Sequence, residues 1–442
     1  MLVQVERWKN ADPGRLDRLN LTLLSAGDAG VVGRHSAAGS ALMVDLPDRL
    51  LMPALVNAHT HLDLTHMGPR PFDRGAGFVG WIKEVIKGRR SEPDLIRESM
   101  RRGLELSALG GVAAVGDIVG APATGPSEVG AEVCAHDGMA GRSFIEFFGI
   151  GKGAGRGLAR AREAWARVAT RASDRWEAGL SPHATNTVGA EMYRECLLDG
   201  DAAVATHVAE SVDEREFIAT GRGPQRELLE RLGVWEDSVL SAIGRGLTPI
   251  EHIARLLATP ECRARRAPVM LVHLNDCSDA DLDRLASLRS SGIPLWVAYC
   301  PRGSSYFGAH EHFGPHRYRE MSSRGIPVAL GTDSIINLGP DSFKDGISTW
   351  GEMVHLHQRD GEDAVQLLRM ATVTGACALG LDPNLFTFGR HGPIAGVLSV
   401  VVKGPFRTAS QELSAVLSAV GTSDGNSPQF LLNGNRSCQT AT

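Results

Sequence analysis

Leu51-Met52-Pro53-Ala54-Leu55-Val56-Asn57-Ala58-His59-Thr60-His61 is the stretch that decides the reading of this chain. Its first six residues form an apolar run that reads as a buried strand. Side chains two apart on a strand point to the same side, so His59 and His61 project together from its end. Two neutral imidazoles on one face are half of a metal site. Taken alone, the pair reads more readily as two ordinary polar residues at a strand end. The rest of the chain reverses that balance.

Outward from this stretch, strand and helix patterns alternate. Further strands are expected over residues 112–117, 143–148, 178–183, 202–207, 268–273, 294–300 and 327–333. Helical spacing lies between them, over residues 78–87, 96–109, 158–172 and 279–290. Eight strands alternating with helices predict an α/β fold, a closed (β/α)8 TIM-like barrel. Four of the eight strands end at or beside a histidine: His59 with His61, then His183, His207 and His273. The last ends at Asp333. A parallel barrel brings all strand C-termini to one face, so these residues converge on one pocket. Their recurrence at the same strand end points to a metal site.

The flanks read differently. Residues 1–50 carry β-like pieces at 21–24 and 41–44 around a Gly-rich turn, expected to be the N-terminal part of a small β domain. Residues 51–380 are the expected metal-dependent barrel, closing with amphipathic helices over 362–381. Residues 381–420, with a strand at 397–402, are expected to complete a composite small sheet. Residues 421–442, rich in Ser, Asn, Gly and Thr, are expected to be a disordered tail.

Composition excludes several classes. The 442 residues carry a net charge of −5, with none of the basic excess that drives nucleic-acid binding. No apolar run approaches the ~20 residues of a membrane span, and the N-terminus has no leader pattern. Seven scattered cysteines without a Cys-x-x-Cys pair point to a reducing compartment. A cytoplasmic protein is expected.

With His59-x-His61, His207, His273 and Asp333 in this order, the chain resembles the amidohydrolase superfamily over about residues 50–380. Pro53 to Leu62, Ser181-Pro182-His183, His207-Val208-Ala209-Glu210 and Leu330-Gly331-Thr332-Asp333-Ser334 resemble its deaminase and chlorohydrolase branch. Three stretches are similar to the aminodeoxyfutalosine deaminase-like group, which deaminates an adenine nucleoside in the futalosine route to menaquinone. They are His61-Leu62-Asp63-Leu64-Thr65-His66, Gly77-Phe78-Val79-Gly80-Trp81-Ile82, and Cys300-Pro301-Arg302 with Tyr306-Phe307-Gly308. One departure is Gly396-Val397-Leu398-Ser399-Val400, where the family usually has Ala-Asp-Leu after a Gly.

The resemblance implies the chemistry. Two-metal members bridge their ions with a lysine on the fourth strand, but this chain has no lysine between Lys152 and Lys344. One divalent ion is therefore expected, Zn²⁺ first and Fe²⁺ second, on His59, His61, His207 and Asp333. Asp333 would also accept the proton of the attacking water. His273 would hydrogen-bond that water and stabilise the tetrahedral oxygen, with a fifth-ligand or structural role as the alternative. Glu210 would shuttle protons to a ring nitrogen and the leaving amine. His183 is the expected substrate contact. Arg302 would pair with a substrate carboxylate such as the benzoate of aminodeoxyfutalosine, or tie down its own loop. His310, His312 and His316 read as a lid or as a solvent-exposed turn without a role.

The expected function is hydrolytic deamination of an aminopurine nucleoside or related N-heterocycle. The alternative is hydrolysis of another C–N or C–Cl bond on such a ring, as in a triazine-type hydrolase or cyclic amidase. A non-catalytic binding protein on the same barrel is the third class. The partner is a small-molecule substrate, and similar enzymes are often homodimers.

Overall fold

Eight of the apolar runs form one parallel sheet, paired in sequence order. Its strands are β1 (Leu55–Thr60), β2 (Val112–Val119), β3 (Ala140–Phe147), β4 (Trp176–Pro182), β5 (Ala203–Val208), β6 (Val269–His273), β7 (Leu295–Tyr299) and β8 (Val328–Leu330). Every residue in them is buried except Glu177 and Trp296. Helices cover a parallel sheet on its faces, and strands buried on both sides read as unbroken apolar runs. The computed structural model describes residues 1–8, 18–122, 125–137, 139–173, 175–404, 408–419 and 427–434.

The sheet closes into a (β/α)8 barrel between β8 and β1. The amides of Thr332 and Asp333 donate to the His59 carbonyl at 2.9 and 3.1 Å, and the His61 amide donates to the Asp333 carbonyl at 3.3 Å. Side chains lock the same seam. Asn57 Nδ2 donates to Thr332 Oγ1 at 2.8 Å, and the Thr332 amide donates to Asn57 Oδ1 at 3.1 Å. Closure therefore places the histidine-bearing first strand beside the aspartate that follows the last.

Gly331 makes this approach feasible. A Cβ there would sit 2.8 Å from His59 Cβ and 3.0 Å from Cys300 Sγ. Gly331→Ala is expected to destabilise the protein by about 1–3 kcal/mol, as overpacking a closed core does. A denaturant melt reads this as a lower midpoint at unchanged slope; an unshifted midpoint would mean that the seam yields freely.

The chain ends build two small antiparallel sheets. One orders Leu2–Trp8, Arg18–Ser25 and Gly392–Ile394; the other orders Gln429–Asn433, Gly396–Val401 and Arg49–Pro53. The opening apolar run is thus two strands, not one. The Ala54 amide donates to Gly396 in the small sheet, and the Leu55 amide donates to Gly111 in the barrel. Pro53 has no N–H to continue a ladder and marks the switch.

Two expectations are corrected. Residues 41–44 are not a strand: Leu42 and Met43 are 91% and 89% exposed, and the two edges of Arg18–Ser25 are taken by Leu2–Trp8 and Gly392–Ile394. The segment expected to be disordered contains Gln429–Asn433, paired to the second edge of Gly396–Val401. Phe430, Leu431 and Leu432 find apolar neighbours there, a gain invisible in a polar composition. Residues 421–426 and 435–442 lie outside the described residues. The small sheet forms at 396–401 although the usual aspartate is absent.

Among the described residues no helix is long and apolar enough to cross a membrane. The six described cysteines are free.

Candidate active site at the barrel mouth

The strand ends bring together what the sequence singled out. His59 and His61 leave β1, His207 ends β5, His273 ends β6, and Asp333 follows β8. One ligand atom from each of His59, His61 and His207 lies within 4.8 Å of the others. A second group, Glu210, His273 and Asp333, meets the same limit. The two groups adjoin, because Asp333 Oδ1 lies 3.8 Å from His59 Nε2 and 3.6 Å from His61 Nε2.

Backbone strain accompanies this convergence. Ala209, His273, Leu274 and Asp333 all have positive φ, between 55° and 76°. Each costs roughly 1–3 kcal/mol for a residue with a Cβ and persists only where surrounding contacts enforce it. His316 supplies one such contact. It is buried, stacks on Tyr299 at 3.6 Å, and its Nε2–H donates to the His273 carbonyl at 2.8 Å. Of the three histidines expected in that turn, only His310 and His312 are exposed.

The cluster has the donor chemistry of a divalent-metal site. Burial, followed by the neighbouring imidazoles, lowers the pKa of His59, His61 and His273 well below the usual histidine value. Burial also lowers His207. These rings are neutral at pH 7, and each keeps a lone pair. His207 Nδ1–H donates to the His183 carbonyl at 2.7 Å, which directs its Nε2 lone pair inward. His61 Nε2 and His207 Nε2 face each other at 3.3 Å. Two nitrogens bound about 2.0–2.1 Å from a tetrahedral zinc are separated by about that distance. His59 Nδ1 and Nε2, His61 Nδ1, His273 Nε2 and Asp333 Oδ2 are buried without a hydrogen-bond partner. Buried polar atoms are rarely left unpaired. The residues therefore fit a bound divalent cation.

Glu210 sits against this centre. Its Oε1 is 3.4 Å from His273 Nε2. Burial, then the charges of Asp333 and Glu214, raises its pKa well above the usual carboxylate range. Its backbone is pinned at both ends: its amide donates to Glu214 Oε2 at 2.7 Å, and its carbonyl accepts from Asn275 Nδ2 at 3.1 Å.

Arg302 is committed elsewhere. Its amide and Nε donate to Glu352 at 2.8 and 2.6 Å, and another guanidinium nitrogen donates to the Ser348 carbonyl at 3.0 Å. The carboxylate it meets in this structure is that of Glu352 in the same chain. His183 lines the mouth, with its ring 5.1 Å from that of His207.

Several residues of the site escaped the sequence reading. Glu146, at the end of β3, and Asp117, within β2, are buried. Arg89, just after the helix Gly77–Gly88, reaches Asp63 at 3.3 Å and Glu146 at 3.0 Å. Burial opposes ionisation of Glu146, but Arg89, His183 and His61 outweigh it and hold the carboxyl at about 2. Gly120 leaves room for Arg89, since a Cβ there would lie 2.5 Å from the guanidinium. Glu214 accepts from the amides of Ala209 and Glu210 and from Thr185 Oγ1. A polar residue near a strand C-terminus was the signal that revealed the histidines, and it applies equally to Asp117 and Glu146. Arg89 and Glu214 carry no such signal, because they sit on loops and helices.

Comparison with known proteins agrees with this geometry. The model of the Amidohydrolase family matches residues 50–385. An aminodeoxyfutalosine deaminase from Deinococcus radiodurans is 30% identical over 301 residues, 65% of this chain and 64% of that protein. The match thus spans just under two thirds of that relative. A 5-methylthioadenosine/S-adenosylhomocysteine deaminase from Haloarcula marismortui is 24% identical over 368 residues, 80% of this chain and 73% of that protein. The crystal structure of a mutant atrazine chlorohydrolase from Arthrobacter aurescens, complexed with zinc and atraton, superposes with a TM-score of 0.66. It covers 100% of this chain and 97% of its own at 19% identity, a likeness of fold. Three histidines and an aspartate gathered at a barrel mouth, inside a family match over residues 50–385, make this chain a member of the amidohydrolase family.

Proposed function

We propose that this chain is a metal-dependent deaminase of an aminopurine nucleoside or related N-heterocycle. The observation that carries the reading is Glu210, 3.4 Å from His273 and grouped with Asp333 beside the three-histidine cluster, where desolvation raises its pKa well above the usual carboxylate range. Displacement of ammonia needs a group that gives a proton to the ring and then to the leaving amine. A raised pKa favours the protonated Glu210 that the first transfer needs, and once ionised the carboxylate can take a proton for the second. A divalent metal, when bound, supplies Lewis acidity and lowers the pKa of a water toward about 7. Asp333 would ligate it and accept the water's proton through its unpaired Oδ2. His273 Nε2, also unpaired, would hydrogen-bond the oxygen added to the ring.

His59, His61, His207 and Asp333 form the proposed ligand set, and imidazoles with one carboxylate favour Zn²⁺ over Fe²⁺. The zinc in the related chlorohydrolase supports that choice. His183 is the proposed substrate contact. The reading places the chemistry in the barrel at 51–380, with a small-molecule substrate and no nucleic-acid or membrane partner. It takes the chain as cytoplasmic, in keeping with the free cysteines among the described residues, and as a homodimer.

The test is ammonia release by the Zn²⁺-loaded protein from adenosine, 5′-modified adenosines including aminodeoxyfutalosine and methylthioadenosine, guanine, cytosine and melamine. Release from one adenosine derivative well above the free bases is expected. Chloride release from a chlorotriazine, with no ammonia from any amine, would overturn the reading in favour of triazine-type hydrolysis.

A further inference from the structure

Glu214 does more than belong to its helix. It is the third residue of the helix Val212–Thr220, and its amide donates to the side chain of the N-cap Ser211 at 3.2 Å. The Ser211 hydroxyl thus fills the capping role. The Glu214 carboxyl turns away from the helix and is buried, at 2% exposure. Its Oε2 accepts from the Glu210 amide at 2.7 Å, and its Oε1 from the Ala209 amide at 3.0 Å. Oε1 also accepts from Thr185 Oγ1. Three donors from two separate loops meet on one side chain.

These bonds fall on a turn that needs them. Ala209 has a φ of 55°, which a residue with a Cβ holds only where its surroundings enforce it. The bend takes the chain off β5 and brings Glu210 to 3.4 Å from His273. The segment after β6 fixes the carbonyl side of the turn. The Asp276 amide donates to the Ala209 carbonyl at 3.1 Å, and Asn275 Nδ2 donates to the Glu210 carbonyl at 3.1 Å. On the amide side, Glu214 is the only acceptor among the described residues. Thr185 carries the clamp further. It is fully buried, two residues past His183 in the loop after β4. That loop also takes the His207 amide on the His183 carbonyl at 2.9 Å. Glu214 therefore joins the loop that carries His183 to the turn that carries Glu210.

We propose that Glu214 is a positioning residue, which sets the place of the Glu210 carboxyl beside His273 and couples it to the His183 loop through Thr185. The inference rests on the deaminase reading and adds a residue that acts through the proton shuttle without touching substrate.

The experiment uses the Zn²⁺-loaded full chain and the adenosine derivative from which it releases ammonia fastest. In Glu214→Gln the side-chain NH₂ would face an N–H that it cannot accept from. The variant is expected to keep its metal and to hold KM within threefold while kcat falls about a hundredfold, the cost of misplacing a reacting group by about 1 Å. Thr185→Val removes one of the three donors and should lower kcat about tenfold. Added to Glu214→Gln, it should cost less than about threefold more, because both changes act through one carboxyl. Wild-type kcat per bound metal in Glu214→Gln, with only a lower Tm, overturns the proposal and leaves Glu214 a structural residue. Losses that multiply in the double variant overturn the coupling to the His183 loop. If Glu214→Gln does not fold, Thr185→Val decides: a tenfold lower kcat at constant KM sustains the proposal, and wild-type kcat overturns it. If the wild type releases no ammonia, the deaminase reading fails separately. Crystal structures of the Zn²⁺-loaded wild type and Glu214→Gln then decide the positioning: a Glu210 carboxyl displaced by about 1 Å or more from its place beside His273 sustains it, and an unmoved one overturns it.

Discussion

Glu210→Gln is expected to abolish ammonia release while leaving the bound metal in place. The amide is nearly isosteric and fits the same place 3.4 Å from His273, so the cluster should keep its shape. It cannot give or take a proton. Removing a positioned acid–base group costs about 10²–10⁴ in rate, and this one serves two transfers, so the upper part of that range is expected. The loss should appear in kcat with little change in KM, the pattern of an interaction made only in the transition state. Metal analysis should return the wild-type content. Retained turnover with the metal present would remove Glu210 from the mechanism.

Asp333→Asn should separate metal binding from folding. Burial, then the charge of Glu352, pushes the Asp333 carboxyl of the metal-free protein up to about 7. A carboxyl whose folded pKa is raised favours the folded state in its protonated form, so it disfavours folding when ionised. Stability of the chelated wild type should therefore fall as pH rises from about 4 through about 7. Asparagine cannot ionise, so the metal-free variant should lose that component and be at least as stable as the wild type at pH 8. The loaded state should show the reverse. Without the carboxylate, metal content should drop at least tenfold, kcat/KM by about 10⁴, and the rise in Tm on adding Zn²⁺ should largely disappear, since a ligand stabilises only the fold that binds it. Full metal content in Asp333→Asn would exclude Asp333 from the ligand set.

Arg302 and His316 show where reading by residue type stops. Arg302 follows a strand end and has the chemistry to bind a carboxylate, but Glu352, fifty positions away, already provides one. His316 lies in a His-rich segment that looks like surface, yet it stacks on Tyr299 and holds the His273 carbonyl. In both cases the deciding partner is remote in sequence, and no local pattern reports it. The ion-paired set of Arg89, Asp63 and Glu146 was hidden for the same reason.

What the sequence determined by itself is the barrel and the histidine cluster at its mouth. Unbroken apolar runs specify buried parallel strands, and period-two geometry ties His59 to His61. A polar residue at the end of each run falls on one face, because every strand of a parallel barrel ends there. Tertiary structure alone decided which polar residues are spoken for and which remain open. It split the opening run between two sheets at Pro53, and drew the tail strand Gln429–Asn433 onto a free edge. It also placed an ionised Glu146 opposite His183 at 4.0 Å. Secondary structure follows from local periodicity, whereas pairing of charges and edges depends on distances that only the closed chain defines.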